Sequence, residues 1–74
     1  MNEAMLSVLK SLETTCLPRK EIFAALGMSG DTRAFRRYIE PLLTGGYIEM
    51  TVPDKPKSKL QRYRLTGKGK AAIS

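Results

Sequence analysis

The feature that most constrains this chain is a change of apolar period at Gly45-Gly46. Before that pair, apolar residues recur three and four apart, the spacing of a helix face. After it they alternate with polar residues, the spacing of a strand with one buried side. With 74 residues there is room for each regime once, in one domain around one small core. The expected class is therefore α+β, a group of helices closed by a small sheet.

The helices can be bounded from their punctuation. Residues 3 to 15 predict helix one, with Met5, Leu9 and Leu12 on its stripe and Ala4, Leu6 and Val8 beside it. Pro18 bars helical geometry at Leu17, which is left extended as a very short strand. Pro18 suits the first position of helix two, which runs to about Leu26 with Ile22 and Phe23 inward and Gly27 as its stop. Ser29 is a good N-cap for helix three, expected from Gly30 to about Thr44. Its apolar positions Phe35, Ile39, Leu42 and Leu43 fall within roughly 100° of one another. Pro41 removes one helical hydrogen bond, to the Arg37 carbonyl, and is expected to bend the helix.

Beyond Gly46, Ile48, Met50 and Val52 alternate with Tyr47, Glu49 and Thr51, and Tyr63 and Leu65 alternate with Arg62, Arg64 and Thr66. These predict two strands. Pro53 to Lys59 joins them as a long hairpin loop stiffened by Pro53 and Pro56. Thr66 can cap a short last helix, Gly67 to Ile73, although its two glycines disfavour it. The expected core is Leu9, Leu12, Ile22, Phe23, Leu26, Phe35, Ile39, Leu42, Leu43, Ile48, Tyr63 and Leu65. The single cysteine, Cys16, closes no intrachain disulfide, and its place between Thr15 and Leu17 predicts a buried thiol.

Charge narrows the function. Residues 1 to 54 hold 6 basic and 7 acidic groups, whereas residues 55 to 74 hold 7 basic groups and none acidic. That block favours phosphate or another anionic surface. The chain has no histidine, so the commonest general base and metal ligand is missing. The carboxylates are scattered without paired spacing, and Gly67-Lys68-Gly69-Lys70 lacks the longer pattern of a phosphate loop. We therefore expect no enzyme, no cofactor, no metal and no small-molecule substrate. The start Met1-Asn2-Glu3 is not a cationic leader and no apolar run is long enough to span a bilayer, so a cytoplasmic protein without a membrane role is expected.

Helix three carries Arg33, Arg36 and Arg37 away from its apolar stripe, with Thr32 in the first turn. Arginine forks match guanine edges, and a major groove admits a helix. Lys55, Lys57, Lys59, Arg62 and Arg64 lie in or beside the hairpin loop, with Lys68 just after it, where they suit phosphate. Helix, turn, helix, then a basic hairpin is the order of a winged helix-turn-helix domain. Double-stranded DNA is the expected partner, with a monomer or weak homodimer as the expected state. The alternative is an interaction or architectural module whose basic face docks an acidic partner surface.

Leu26-Gly27-Met28-Ser29, Arg33-x-Phe35-Arg36-Arg37 and Leu42-Leu43-x-Gly45-Gly46-Tyr47-Ile48-Glu49 are similar to winged-helix domains generally. Pro53-Asp54-Lys55-Pro56-Lys57-Ser58 with Gln61-Arg62-Tyr63-Arg64-Leu65-Thr66-x-x-Gly69 is more specific. It resembles the C-terminal winged-helix domain of bacterial transcriptional regulators and RecG-related ATP-dependent DNA helicases, and similar tails occur on some Fic-family proteins. The resemblance covers roughly residues 17 to 72. It implies a DNA-binding tail behind a larger nucleotide-using region, with this chain a domain excised from the C-terminus of a longer protein.

Overall fold

The computed structural model describes residues 2–74. The chain enters its first helix at Asn2, whose side-chain oxygen accepts the Met5 N–H. Helix α1 spans Glu3–Ser11, ending a turn earlier than Thr15. The Leu12 and Glu13 N–H groups bond three residues back, to Leu9 and Lys10, and the Ser11 hydroxyl takes the Val8 carbonyl. The tightened last turn and that competing hydroxyl end the helix before the threonines are reached.

Helix α2 spans Arg19–Ala25, with Pro18 as its N-cap rather than its first helical residue. Pro18 has extended geometry, and its carbonyl accepts from Glu21 and Ile22. Gly27 has φ +69°, the Met28 N–H reaches the Phe23 carbonyl, and the Gly27 N–H reaches Ala24. That pair of bonds is the Schellman ending that a glycine permits. Leu17 is extended as expected and exchanges both backbone hydrogen bonds with Tyr63.

Helix α3 is one continuous helix over residues 32–44, made of three parts. Thr32–Ala34 and Glu40–Thr44 are α-helical, and Phe35–Ile39 between them is a π turn. Asp31 caps it, accepting the Ala34 N–H at 2.8 Å. The helix thus starts after Gly30, not at it. The Arg19 guanidinium holds the Gly30 carbonyl outside the helix, and a carboxylate is a good acceptor for the orphan N–H groups of a first turn. The effect of Pro41 is a widened turn. Its ring would collide with the Arg37 carbonyl and it offers no N–H. The Glu40 N–H accordingly reaches back to Phe35. The helix ends as α2 does, with Gly46 at φ +78° and the Tyr47 N–H on the Leu42 carbonyl.

Strands β1 (Ile48–Met50) and β2 (Tyr63–Leu65) pair antiparallel, Ile48 with Leu65 and Met50 with Tyr63. Both strands turn the same alternating set inward, as their period requires. Helix α4 (Gly67–Ile73) forms despite its glycines. Thr66 caps it through the Gly69 N–H, and Gly69 is buried where a Cβ would collide with the Tyr47 carbonyl. The glycine that lowers helix propensity is the one that lets the helix dock on the start of β1.

Val8, Leu9, Leu12, Ile22, Phe23, Ile39, Leu42, Ile48, Tyr63 and Leu65 are buried together. Leu26, Phe35 and Leu43, expected among them, are only half-buried and pack against this cluster from outside. Cys16, expected buried, is half-buried too, following the exposed residues Glu13, Thr14 and Thr15. Among the described residues the architecture is four helices and one two-stranded antiparallel sheet. No helix among them is long and apolar enough to cross a membrane.

Candidate nucleic-acid interface

The loop over residues 51–62 is organised by one buried polar side chain. Gln61 is 5% exposed. Its amide nitrogen donates to the Val52 and Lys55 carbonyls, and its amide oxygen accepts the Val52 N–H at 3.0 Å. Short turns link Val52 to Lys55, Lys55 to Ser58 and Ser58 to Gln61. Every side-chain hydrogen-bonding direction that Gln61 uses points at this loop, so the loop is shaped rather than draped. Gln61 was absent from the expected site and core. Its signal was nonetheless present, for it continues the inward series of Tyr63 and Leu65 by two residues.

Residues of this loop, of helix α3 and of α2 together line one open groove of about 1090 Å³. Thr32 and Arg36 reach it from α3, and Lys57 and Lys59 from the loop. Those four expected residues are therefore brought together. Arg33 and Arg37 lie exposed on α3 and do not line the groove. The Arg37 guanidinium rests 5.7 Å from the Tyr38 ring centre. Arg36 and Arg37 both ride on the π turn, so the wide turn beside Pro41 sets their direction. Lys55 and Arg62 are exposed at the loop and its exit.

Two expected residues are already engaged within the chain. Arg64 forms an ion pair with Glu49 at 2.9 Å across the sheet. The Lys68 ammonium donates to the Gly45 carbonyl at 2.7 Å and sits 4.5 Å from the Tyr47 ring centre. A cation there meets the negative end of α3. Lys68 serves that helix end, a partner 23 residues away in sequence, and sequence reading had no means of pairing them.

Arg19 and Lys20 also line the groove and were not expected there. Arg19 donates to Gly30 and stacks 4.8 Å from the Phe35 ring centre, and Phe35 in turn lies 6.3 Å from Tyr63. Burial pushes the Tyr63 phenol above its ordinary pKa, and the nearby Arg19 charge pulls it back in part. The sequence signal for this pair is local, two adjacent cations after Pro18, within a stretch of 54 residues whose charges nearly balance.

Among the described residues the Arg64–Glu49 pair is the one ion pair. The remaining exposed arginines and lysines of α3 and the loop form no ion pair within 4.0 Å. No group of three or more potential metal ligands occurs among the described residues.

A small α+β domain with a basic groove between a helix and a shaped hairpin loop is the class these features define. Residues 3–66 match the family described as "Filamentation induced by cAMP protein Fic-like, C-terminal domain", and the chain belongs to that family. The chain is also similar to the crystal structure of a Fic family protein from Desulfovibrio desulfuricans G20, with 36% identity and a TM-score of 0.81. The match covers 93% of this chain and 21% of that one, so the chain spans about a fifth of that protein's length. No curated protein matches the chain. Of the families that the sequence resembles, the Fic family is the one these comparisons support.

Proposed function

We propose that this chain is a winged helix-turn-helix domain that binds double-stranded DNA and performs no catalysis of its own. Helix α3 enters the major groove, where Arg33, Arg36 and Arg37 meet base edges or phosphate. The loop is the wing, and Lys55, Lys57, Lys59 and Arg62 follow the adjacent backbone. The observation that carries this reading is that α3 and the loop wall one groove while their cations stay unpaired within the chain. Unpaired cations on two neighbouring elements favour a polyanion that touches both. Arg64 and Lys68 contribute long-range field only, because each is engaged elsewhere. In a longer protein of the same family the domain would act as a DNA-binding tail, the arrangement that the resemblance to transcriptional regulators and helicase-related proteins suggests. Alone, it acts as a monomer or a weak homodimer, which sedimentation at micromolar concentration checks.

The test is selection from random duplexes at low salt, followed by a salt titration of the winner. Arg37→Ala should cost about 1–3 kcal/mol on the selected site and less on random duplex. Lys57→Ala should weaken all duplexes alike and lower the salt slope by about 1. Retention of no duplex sinks the reading. Equal binding to every duplex keeps the basic loop and removes the recognition role of α3.

A further inference from the structure

The groove has a second character that a duplex does not use. Met28, Phe35, Leu43, Met50 and Tyr63 line it together with exposed Ala24 of α2. Four of these, Met28, Phe35, Leu43 and Met50, are half-buried although they pack on the core. A duplex backbone meets such a face mainly with phosphate, which satisfies the cations and does not call for an apolar lining. The rim carries Arg19, Lys20, Arg36, Lys57 and Lys59 against a single carboxylate, Glu40. Apolar lining inside a cationic rim is complementary to a chain that alternates hydrophobic and acidic side chains. Two methionines in the lining suit it to partners that vary in detail, since thioether side chains repack readily.

We infer that the groove between α2, α3 and the loop is a docking site for an acidic peptide segment with apolar anchors. Apolar anchors sit against Met28, Phe35 and Met50, and flanking carboxylates meet Lys20, Arg36, Lys57 and Lys59. The site shares its rim with the DNA face proposed above but not its lining, and it does not depend on that reading. Ala24 separates the two. An arginine there fills the lining from an exposed helix position and keeps the sign of the rim.

The experiment is a display selection of short random peptides against the whole 74-residue chain. The winners are then synthesised and titrated by fluorescence anisotropy. The expected winners combine carboxylates with spaced apolar residues. Lys20→Glu and Ala24→Arg should each weaken them about tenfold or more, with thermal midpoints near that of the parent. Replacing the peptide's apolar residues by serine should do the same, as should replacing its carboxylates by amides. Ala24→Arg should leave binding to a random DNA duplex at least as strong as before. The inference is overturned if no peptide is enriched, if the winners show no acidic excess, or if Ala24→Arg binds them undiminished. It is equally overturned if Ala24→Arg loses duplex DNA, because the apolar lining is then part of the DNA face.

Discussion

Phe23 and Gln61 are both buried, in two regions built on different principles. Phe23 sits among Leu9, Ile22, Ile39 and Leu42, where apolar burial supplies the stabilisation and shape is held by close packing. Gln61 belongs to a loop with no member in that cluster, and holds it through directed hydrogen bonds. The packed region decides whether the chain folds. The hydrogen-bonded region decides where the lysines stand. Substitutions in the two should therefore separate stability from binding.

The largest expected effect is in the packed region. Phe23→Ala should cost about 3–5 kcal/mol, a large share of the stability of so small a domain. Chemical denaturation followed by circular dichroism measures it. The DNA binding proposed above should be lost only in proportion to the unfolded fraction. A variant that stays folded but does not bind would break the division.

Gly69 tests the same region by overpacking. Gly69→Ala places a methyl group against the Tyr47 carbonyl, which also accepts the Thr66 N–H at 3.1 Å. Backbone yields less readily than a side chain, so about 1–3 kcal/mol of destabilisation is expected. The thermal midpoint should fall although alanine is the better helix former. A rise would mean that α4 docks less closely than this.

Where the two regions differ in construction, they also differ in how far the sequence revealed them. Apolar spacing identified the helix stripes, the inward faces of both strands and the glycine stops, because each is a local consequence of period or backbone freedom. The extended Leu17 followed from Pro18 alone. The π turn over Phe35–Ile39 did not, since a proline allows a bend, a broken bond or a wider turn and tertiary packing selects among them. The engagement of Arg64, Lys68 and Arg19 was equally hidden. Their partners Glu49, Gly45 and Gly30 lie 15, 23 and 11 residues away, and only the folded chain brings them within reach. The groove itself joins α2, α3 and the loop, which no single window of sequence contains.

In the hydrogen-bonded region, Gln61→Ala removes three hydrogen bonds from the loop at once. The freed groups lie near the surface and water can replace much of what is lost, so about 1 kcal/mol of stability is expected. Binding should suffer more than stability, because the loop then has to be ordered on the ligand. The charge is unchanged, so the salt slope should stay as it was while affinity falls. An unchanged affinity in a salt titration would show that the loop needs no internal support.

The smallest effect belongs to Glu49, which stands at the boundary of the two regions on β1. Its carboxylate pairs with Arg64 on the neighbouring strand, and both side chains are about half exposed, at 46% and 56%. An exposed pair of this kind contributes about 0.2–1 kcal/mol, so Glu49→Gln should barely move the denaturation midpoint. Its effect on a polyanion should run in the opposite direction. The substitution raises the net charge by one and leaves Arg64 without its carboxylate. If the basic face meets DNA, duplex affinity should rise at low salt, and the salt slope should steepen by about 1 if Arg64 then takes a phosphate. The gain should disappear as salt screens the added charge. A measurable loss of stability with no gain in duplex affinity would place Glu49 with the packed region and count against phosphate within reach of β2.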